Sequence, residues 1–164
     1  MATSYSVLVD SFLDKIIKDK RFFNYRGLDE EESLALAKER AQKYLDEAVN
    51  RIIFEGFPEV DFTNRSSTEF NFDLTPTEII LIPSLMLEAY MQQDIAYLKL
   101  QNVNFTGTEV RIFDPSNARK TFMAMYDDLC VKNAQMLARY ADMNRSSGAY
   151  KNINFDTYDV NLES

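Results

Sequence analysis

The chain has 164 residues, which is enough for one domain with a buried core and too few for two ordinary domains. Hydrophobic residues make up 46% and aromatic residues 13%, a composition typical of a folded chain and not of a disordered one. The formal net charge of −8 disfavours independent binding to nucleic acid or to an anionic membrane. The absence of histidine excludes imidazole-based catalytic triads and the most common metal ligand.

Cysteine content and hydropathy lead us to expect a reducing cytoplasm as the environment of the chain. Cys130 is the only cysteine, so no intrachain disulfide forms, and we interpret it as a small buried hydrophobic residue. Asp10 and Asp14 interrupt the first apolar stretch, which is untypical of a signal peptide. The apolar run 79–87 contains Pro83 and is far shorter than the roughly 20 residues of a membrane span. We therefore expect neither secretion nor membrane insertion.

The first half of the chain predicts two amphipathic helices, because apolar residues recur there at intervals of three and four. The first helix is predicted over residues 6–18. The second begins after an N-cap at Asp29, with Glu32 completing a capping box, and runs to about residue 55. Gly56 is expected to end this helix at a C′ position.

Two further helices are predicted in the second half. Thr75, Pro76 and Glu78 form a helix start with a cap, a proline at the first helical position and a capping box. This third helix runs to about residue 100, and Pro83 is expected to kink it. The fourth helix is predicted over residues 115–144.

The remaining segments show the two-residue alternation of extended chain. Residues 59–73 are interpreted as an extended loop or a marginal β-hairpin, and residues 103–112 as a second hairpin or loop. The predicted fold class is therefore all-α (mostly helical), a four-helix domain with one or two short β-hairpins or loops. This helical domain covers residues 1–148, and an extended C-terminal docking arm covers residues 149–164.

Two sets of apolar residues are candidate contact sites. The arm is too apolar for a solvated end and is expected to dock on a partner. Its docking residues are Tyr150, Ile153, Phe155, Tyr158 and Val160. The third helix is apolar on several sides, so it is either central in its own fold or placed between subunits. The subunit or partner contact residues are Ile80, Leu81, Leu85 and Leu87.

The titratable residues do not form a recognisable catalytic or metal site. The acidic run 30–32 lies in the first turn of a helix, where negative charge favours the helix dipole. Asp127 and Asp128 are neighbours, hence about 100° apart on a helix, and do not converge on one ion. Phosphate-binding and nucleophile motifs are also missing from the sequence. We therefore expect an interaction protein with no cofactor and no enzymatic activity.

The segment 73–86, DLTPTEIILIPSLM, continuing to Tyr90 and Ile95, resembles a pattern in head-tail connector (adaptor) proteins from the neck of tailed bacteriophages. The layout of the whole chain is similar as well: a short helix, a long charged helix, a central helix after a loop, a further helix and an extended tail.

The resemblance implies a virion structural protein that joins the capsid to the tail. It implies a homo-oligomeric ring of about a dozen copies. The ring would lie beneath the portal protein, receive the stopper or tail proteins and extend the DNA channel, with the arm inserted into the portal. DNA would pass through without specific binding, consistent with an acidic wall that repels phosphate. The expected location is the virion neck, reached from the host cytoplasm during assembly. The alternative is a cytoplasmic helical module that binds a regulatory partner.

Overall fold

The computed structural model describes residues 2–17, 19–23, 25, 27–104 and 115–151, and these residues are mostly helical. The elements in chain order are β1 (Thr3–Ser4), α1 (Tyr5–Lys15), α2 (Lys20–Phe23), α3 (Glu30–Arg51), a π-helical turn (Ile52–Gly56), β2 (Glu69–Phe70), α4 (Pro76–Asn104) and α5 (Pro115–Asp142). The predicted all-α class is confirmed, and α1, α3, α4 and α5 are the four predicted helices. The one-turn helix α2 was not predicted.

Helix α4 lies at the centre of the fold and packs against α1, α3 and α5. Every residue from Leu81 to Met86 is buried, so this stretch of the helix has no solvent-facing side. The first of the two alternatives for this helix therefore applies: it is central in its own fold. Pro83 lies within α4 and is itself buried; its kink stays a prediction.

Both predicted capping boxes are present and fix where the long helices begin. The Asp29 side chain accepts a hydrogen bond from the Glu32 N–H at 2.8 Å, and Glu32 accepts one from the Asp29 N–H at 3.3 Å. The Thr75 N–H donates to Glu78 at 2.7 Å, and the Thr75 hydroxyl accepts from the Glu78 N–H at 3.3 Å. Each box satisfies backbone donors that the first helical turn leaves without partners.

The end of the second predicted helix differs from the prediction. The α-helix ends at Arg51 and continues as the π-helical turn, which includes Gly56. The left-handed residue is Phe57, with φ 44° and ψ 59°, and not Gly56. Gly56 is required for a different reason: a Cβ atom there would lie 3.1 Å from the Tyr140 ring.

The first extended segment forms the marginal β-hairpin that was one of its two predicted forms. An antiparallel bridge joins Arg65 to Phe70, and the Ser66 N–H donates to the Glu69 carbonyl at 2.8 Å. The sequence did not predict that β2 also pairs antiparallel with β1, which places Phe70 opposite Thr3. In the second predicted hairpin Val103 belongs to α4, while residues 105–112 lie outside the described residues.

Candidate docking site at the root of the C-terminal arm

The chain turns back on itself after α5, and we call residues 143–151 the arm root. The Gly148 N–H donates to the Asn144 carbonyl at 2.8 Å, and the Asn144 N–H donates to the Ala149 carbonyl at 2.7 Å. An antiparallel bridge then places Tyr150 beside Met143. Gly148 has φ +65°, a left-handed conformation that glycine adopts without the steric cost of a Cβ.

Arg145 ties the arm root to the start of α4. Its Nε lies 2.9 Å from Glu78 Oε1, and one of its terminal nitrogens lies 3.0 Å from Oε2, so the ion pair is bidentate. The same terminal nitrogen donates to the Asp73 carbonyl, and the guanidinium lies 5.5 Å from the centre of the Phe72 ring. The Tyr140 hydroxyl donates to Glu78 Oε1 at 2.7 Å. Five groups thus converge at the start of α4, where the Glu78 side chain is fully buried.

The electrostatics of this cluster follow from its burial. Burial by itself would raise the pKa of Glu78, but hydrogen bonds from Arg145, Tyr140 and the Thr75 N–H outweigh it and lower the pKa below its ordinary value. Burial and the adjacent Glu78 carboxylate raise the pKa of Tyr140. Glu78 is therefore a carboxylate and Tyr140 a neutral donor at neutral pH. The sequence indicated Glu78 only as a capping residue.

A second anchor lies at Glu59, which follows the π-helical turn by three residues. Its carboxylate accepts a hydrogen bond from the Arg145 backbone N–H at 3.0 Å. It also lies 3.6 Å from Lys151 Nζ. Lys151 in turn donates its N–H to the Asp142 carbonyl at 2.7 Å and its ammonium to the Ala141 carbonyl at 2.8 Å. The last described residue is therefore held against the end of α5 and beside Glu59.

Two exposed aromatic residues, Phe54 and Phe57, precede Glu59 in the chain by five and two residues. They are 76% and 71% exposed, the highest values among the large hydrophobic residues in the described part of the chain. Phe57 also holds its left-handed backbone conformation despite its Cβ.

The residues expected to contact a partner are placed as follows. Of the arm residues, Tyr150 is exposed, whereas Ile153, Phe155, Tyr158 and Val160 lie outside the described residues. Of the contact-helix residues, Leu81 and Leu85 are buried in the chain's own core, which corrects the expectation that they face a partner. Leu87 is partly buried against that core, and Ile80 is 62% exposed. Ile80 is therefore the one of the four that is accessible to a partner.

A second buried polar cluster joins α3, α4 and α5. Asn133, fully buried, donates to Glu88 at 2.7 Å and to the Ser84 carbonyl at 3.1 Å, and it accepts from the Ser84 hydroxyl at 2.7 Å. Arg51 lies 2.6 Å from the other Glu88 oxygen. A cavity of about 190 Å³ adjoins this cluster. Its lining residues are Glu47, Ala48, Arg51, Leu85, Glu88, Ala89 and Gln92. Because Glu88 already has a partner on each oxygen, we interpret the cluster as a link between helices.

The remaining titratable groups near this cluster are poor nucleophiles. Cys130 is half-buried, as a free thiol, and burial raises its pKa. Burial and a hydrogen bond with Cys130 raise the pKa of Tyr126 to about 12. Within residues 2–104 and 115–151, apart from positions 18, 24 and 26, no group of three His, Cys, Asp or Glu side chains is placed to hold a metal ion. Across the same residues, no helix combines the length and apolar character that a membrane span requires.

Comparisons with protein-family models, with curated proteins and with solved structures find no match to this chain.

Proposed function

We propose that the protein is a head-tail adaptor of a tailed-phage virion, which forms a ring under the portal and docks there through its C-terminal arm. The observation that carries this proposal is the anchoring of the arm root by Arg145 and Lys151. The two ion pairs fix the point on the helical body at which the arm starts. This reduces the entropy lost on docking, since the orientation of the root is set before the partner arrives.

Surface chemistry gives two further supports. The chain is acidic overall, as expected for a wall along which DNA must slide without sticking. Residues 115–151 are the exception, with six basic and three acidic residues, although Arg145 and Lys151 at the arm root are paired with Glu78 and Glu59. Exposed apolar side chains, including Ile80 on α4, offer additional contacts between neighbouring subunits in a ring.

The direct test is electron microscopy with two-dimensional averaging. The purified chain is imaged alone and after mixing with fractions that contain portals or viral particles. We expect rings or added density at the portal vertex. A chain that stays monomeric and decorates nothing would refute the adaptor role and favour the regulatory binding module.

The arm is tested separately with two matched variants. One replaces Ile153, Phe155, Tyr158 and Val160 with serine, and the other replaces Asn152, Asn154, Thr157 and Asn161 with serine. Both keep the length and charge of the arm, but only the first removes its apolar side chains. We expect the first to lose portal capture and the second to retain it. Equal capture by both variants would remove the arm from the mechanism.

A further inference from the structure

We propose that the N-terminal strand β1 and the arm root form one clasp around residues 72–74, so that release of β1 also loosens the arm root. The N-terminal half of the clasp is Thr3. Its N–H donates to the Phe72 carbonyl at 3.3 Å, and its hydroxyl oxygen accepts from the Leu74 N–H at 3.0 Å. Thr3 therefore holds the residues on either side of Asp73.

The C-terminal half of the clasp is Arg145, which contacts the same short segment. One of its terminal nitrogens donates to the Asp73 carbonyl, and its guanidinium lies 5.5 Å from the centre of the Phe72 ring. In extended chain the backbone groups of successive residues point to opposite edges. The contacts follow this alternation, because Phe72 and Leu74 bond to the N-terminus while Asp73 bonds to the arm root.

Residues 72–74 respond as a unit because they pack against the core. The centre of the Phe72 ring lies 5.2 Å from that of Phe62 and 5.5 Å from that of Phe70, and Leu74 is buried. If β1 leaves, the Leu74 N–H loses its partner at a buried residue, which is unfavourable unless the segment shifts. Such a shift moves the groups that Arg145 contacts. Loss of either half of the clasp therefore weakens the other half.

Both halves of the clasp lie outside the long helices, so the clasp can open without unfolding them. β1 ends at Ser4, directly before α1, and the arm root follows Asp142, the last residue of α5. Segments of this kind open at a lower cost in free energy than the core. A partner that captures β1 would thus raise the fraction of molecules whose arm root is open. This regulatory use rests on the adaptor proposal, whereas the coupling itself does not.

The coupling is tested with two substitutions at Thr3 and with amide hydrogen exchange followed by NMR. Thr3→Val keeps the branched shape of the side chain but removes the acceptor for the Leu74 N–H, whereas Thr3→Ser keeps the hydroxyl. The reporters are the arm-root amides that donate hydrogen bonds, namely those of Asn144, Arg145, Gly148 and Lys151. We expect T3V to speed their exchange about fivefold or more, and T3S to change it by less than about twofold.

Amides at the start of α3 serve as the internal control, because they lie in a different helix. The Glu32 N–H donates to the Asp29 side chain at 2.8 Å, and the Ser33 N–H donates to the Asp29 carbonyl at 2.9 Å. Their exchange should not change in the T3V chain. Equal acceleration here and in the arm root would assign the effect to a general loss of stability and overturn the proposal. Unchanged exchange in the arm root, or the same change in T3V and T3S, would overturn it as well.

The coupling must also act in the reverse direction, since linkage between two sites is reciprocal. Arg145→Met removes the C-terminal half of the clasp and should speed exchange of the Tyr5 N–H, which donates to the Thr68 carbonyl at 2.9 Å where β1 meets β2. Arg139→Met, in the last turn of α5, should leave that exchange unchanged. Acceleration confined to the arm root in the Arg145→Met chain would contradict the coupling.

These measurements contain no portal, so the clasp and the adaptor proposal fail independently. If both hold, the T3V chain should bind portal fractions more weakly than the T3S chain, because its arm root is no longer held in one orientation before docking. Equal binding by the two variants would overturn the regulatory use of the clasp.

Discussion

Replacing Arg145 with methionine tests the ion pair that fixes the arm root. Methionine keeps much of the length of the arginine side chain but removes the charge, the hydrogen bonds and the guanidinium that lies over Phe72. Glu78, which has no exposed surface, is left with only the Tyr140 hydroxyl and the Thr75 N–H as donors. The variant therefore isolates the contribution of the guanidinium.

The expected loss of stability is about 3 kcal/mol near pH 7. Removing one partner of a buried ion pair typically costs about 3–5 kcal/mol, because the other charge stays buried without compensation. We take the lower end, since the Arg145 side chain is 20% exposed and loses less solvation on folding. A control variant, R139M, removes an exposed arginine from the last turn of α5 and should change stability by less than about 0.5 kcal/mol.

The loss should also depend on pH in a defined direction. In the unmodified chain the pKa of Glu78 is lowered, so its stabilisation is present above the unfolded value of about 4.3 and disappears as the pH falls through the folded pKa. In the R145M variant burial acts without the guanidinium and should raise the pKa of Glu78. The variant then takes up a proton on folding and gains relative stability as the pH falls from 7 toward about 4.3. The difference in the free energy of unfolding between the unmodified chain and the R145M variant therefore becomes smaller as the pH falls.

The assay is urea denaturation followed by far-ultraviolet circular dichroism. The dependence of the free energy of unfolding on urea concentration should be the same for both chains if each unfolds in two states. A loss below about 1 kcal/mol near pH 7 would refute the reasoning, and so would a loss that is larger near pH 5. A double-mutant cycle with E78Q measures the coupling, which we expect to be about 1–3 kcal/mol.

Three further substitutions test the packing around the site. Gly56→Ala places a Cβ atom 3.1 Å from the Tyr140 ring and should lower stability by about 1–3 kcal/mol, measured as a fall in Tm. At Phe57 the glycine variant should be about 1 kcal/mol more stable than the alanine variant in urea denaturation, because only glycine adopts φ 44° without strain; equal stability would contradict the left-handed assignment. Asn133→Leu should cost about 2–3 kcal/mol in the same assay, since it removes a donor to buried Glu88, and a neutral result would show that Arg51 alone satisfies that carboxylate.

The sequence by itself determined the helical class and the points where the main helices begin. Capping boxes are local, since the cap and its partner are three residues apart, and the boxes at Asp29 and Thr75 are present as predicted. Hydrophobic periodicity identified α4 as a helix with apolar residues on several sides. It did not decide whether those residues face the core or another subunit, because both environments select the same side chains.

Only the tertiary structure decided the contacts between residues distant in sequence. β2 pairs with the N-terminus because Thr3 and Phe70 are brought together by the fold, which no local alternation reveals. Leu34 and Met125 are apolar residues within α3 and α5, yet both are exposed, which the sequence alone does not reveal. Glu78 takes part in both local and long-range contacts. Its capping role follows from a neighbour three residues away. Its ion pair with Arg145 joins residues 67 positions apart, and only packing of α4 against the end of α5 brings the two charges together.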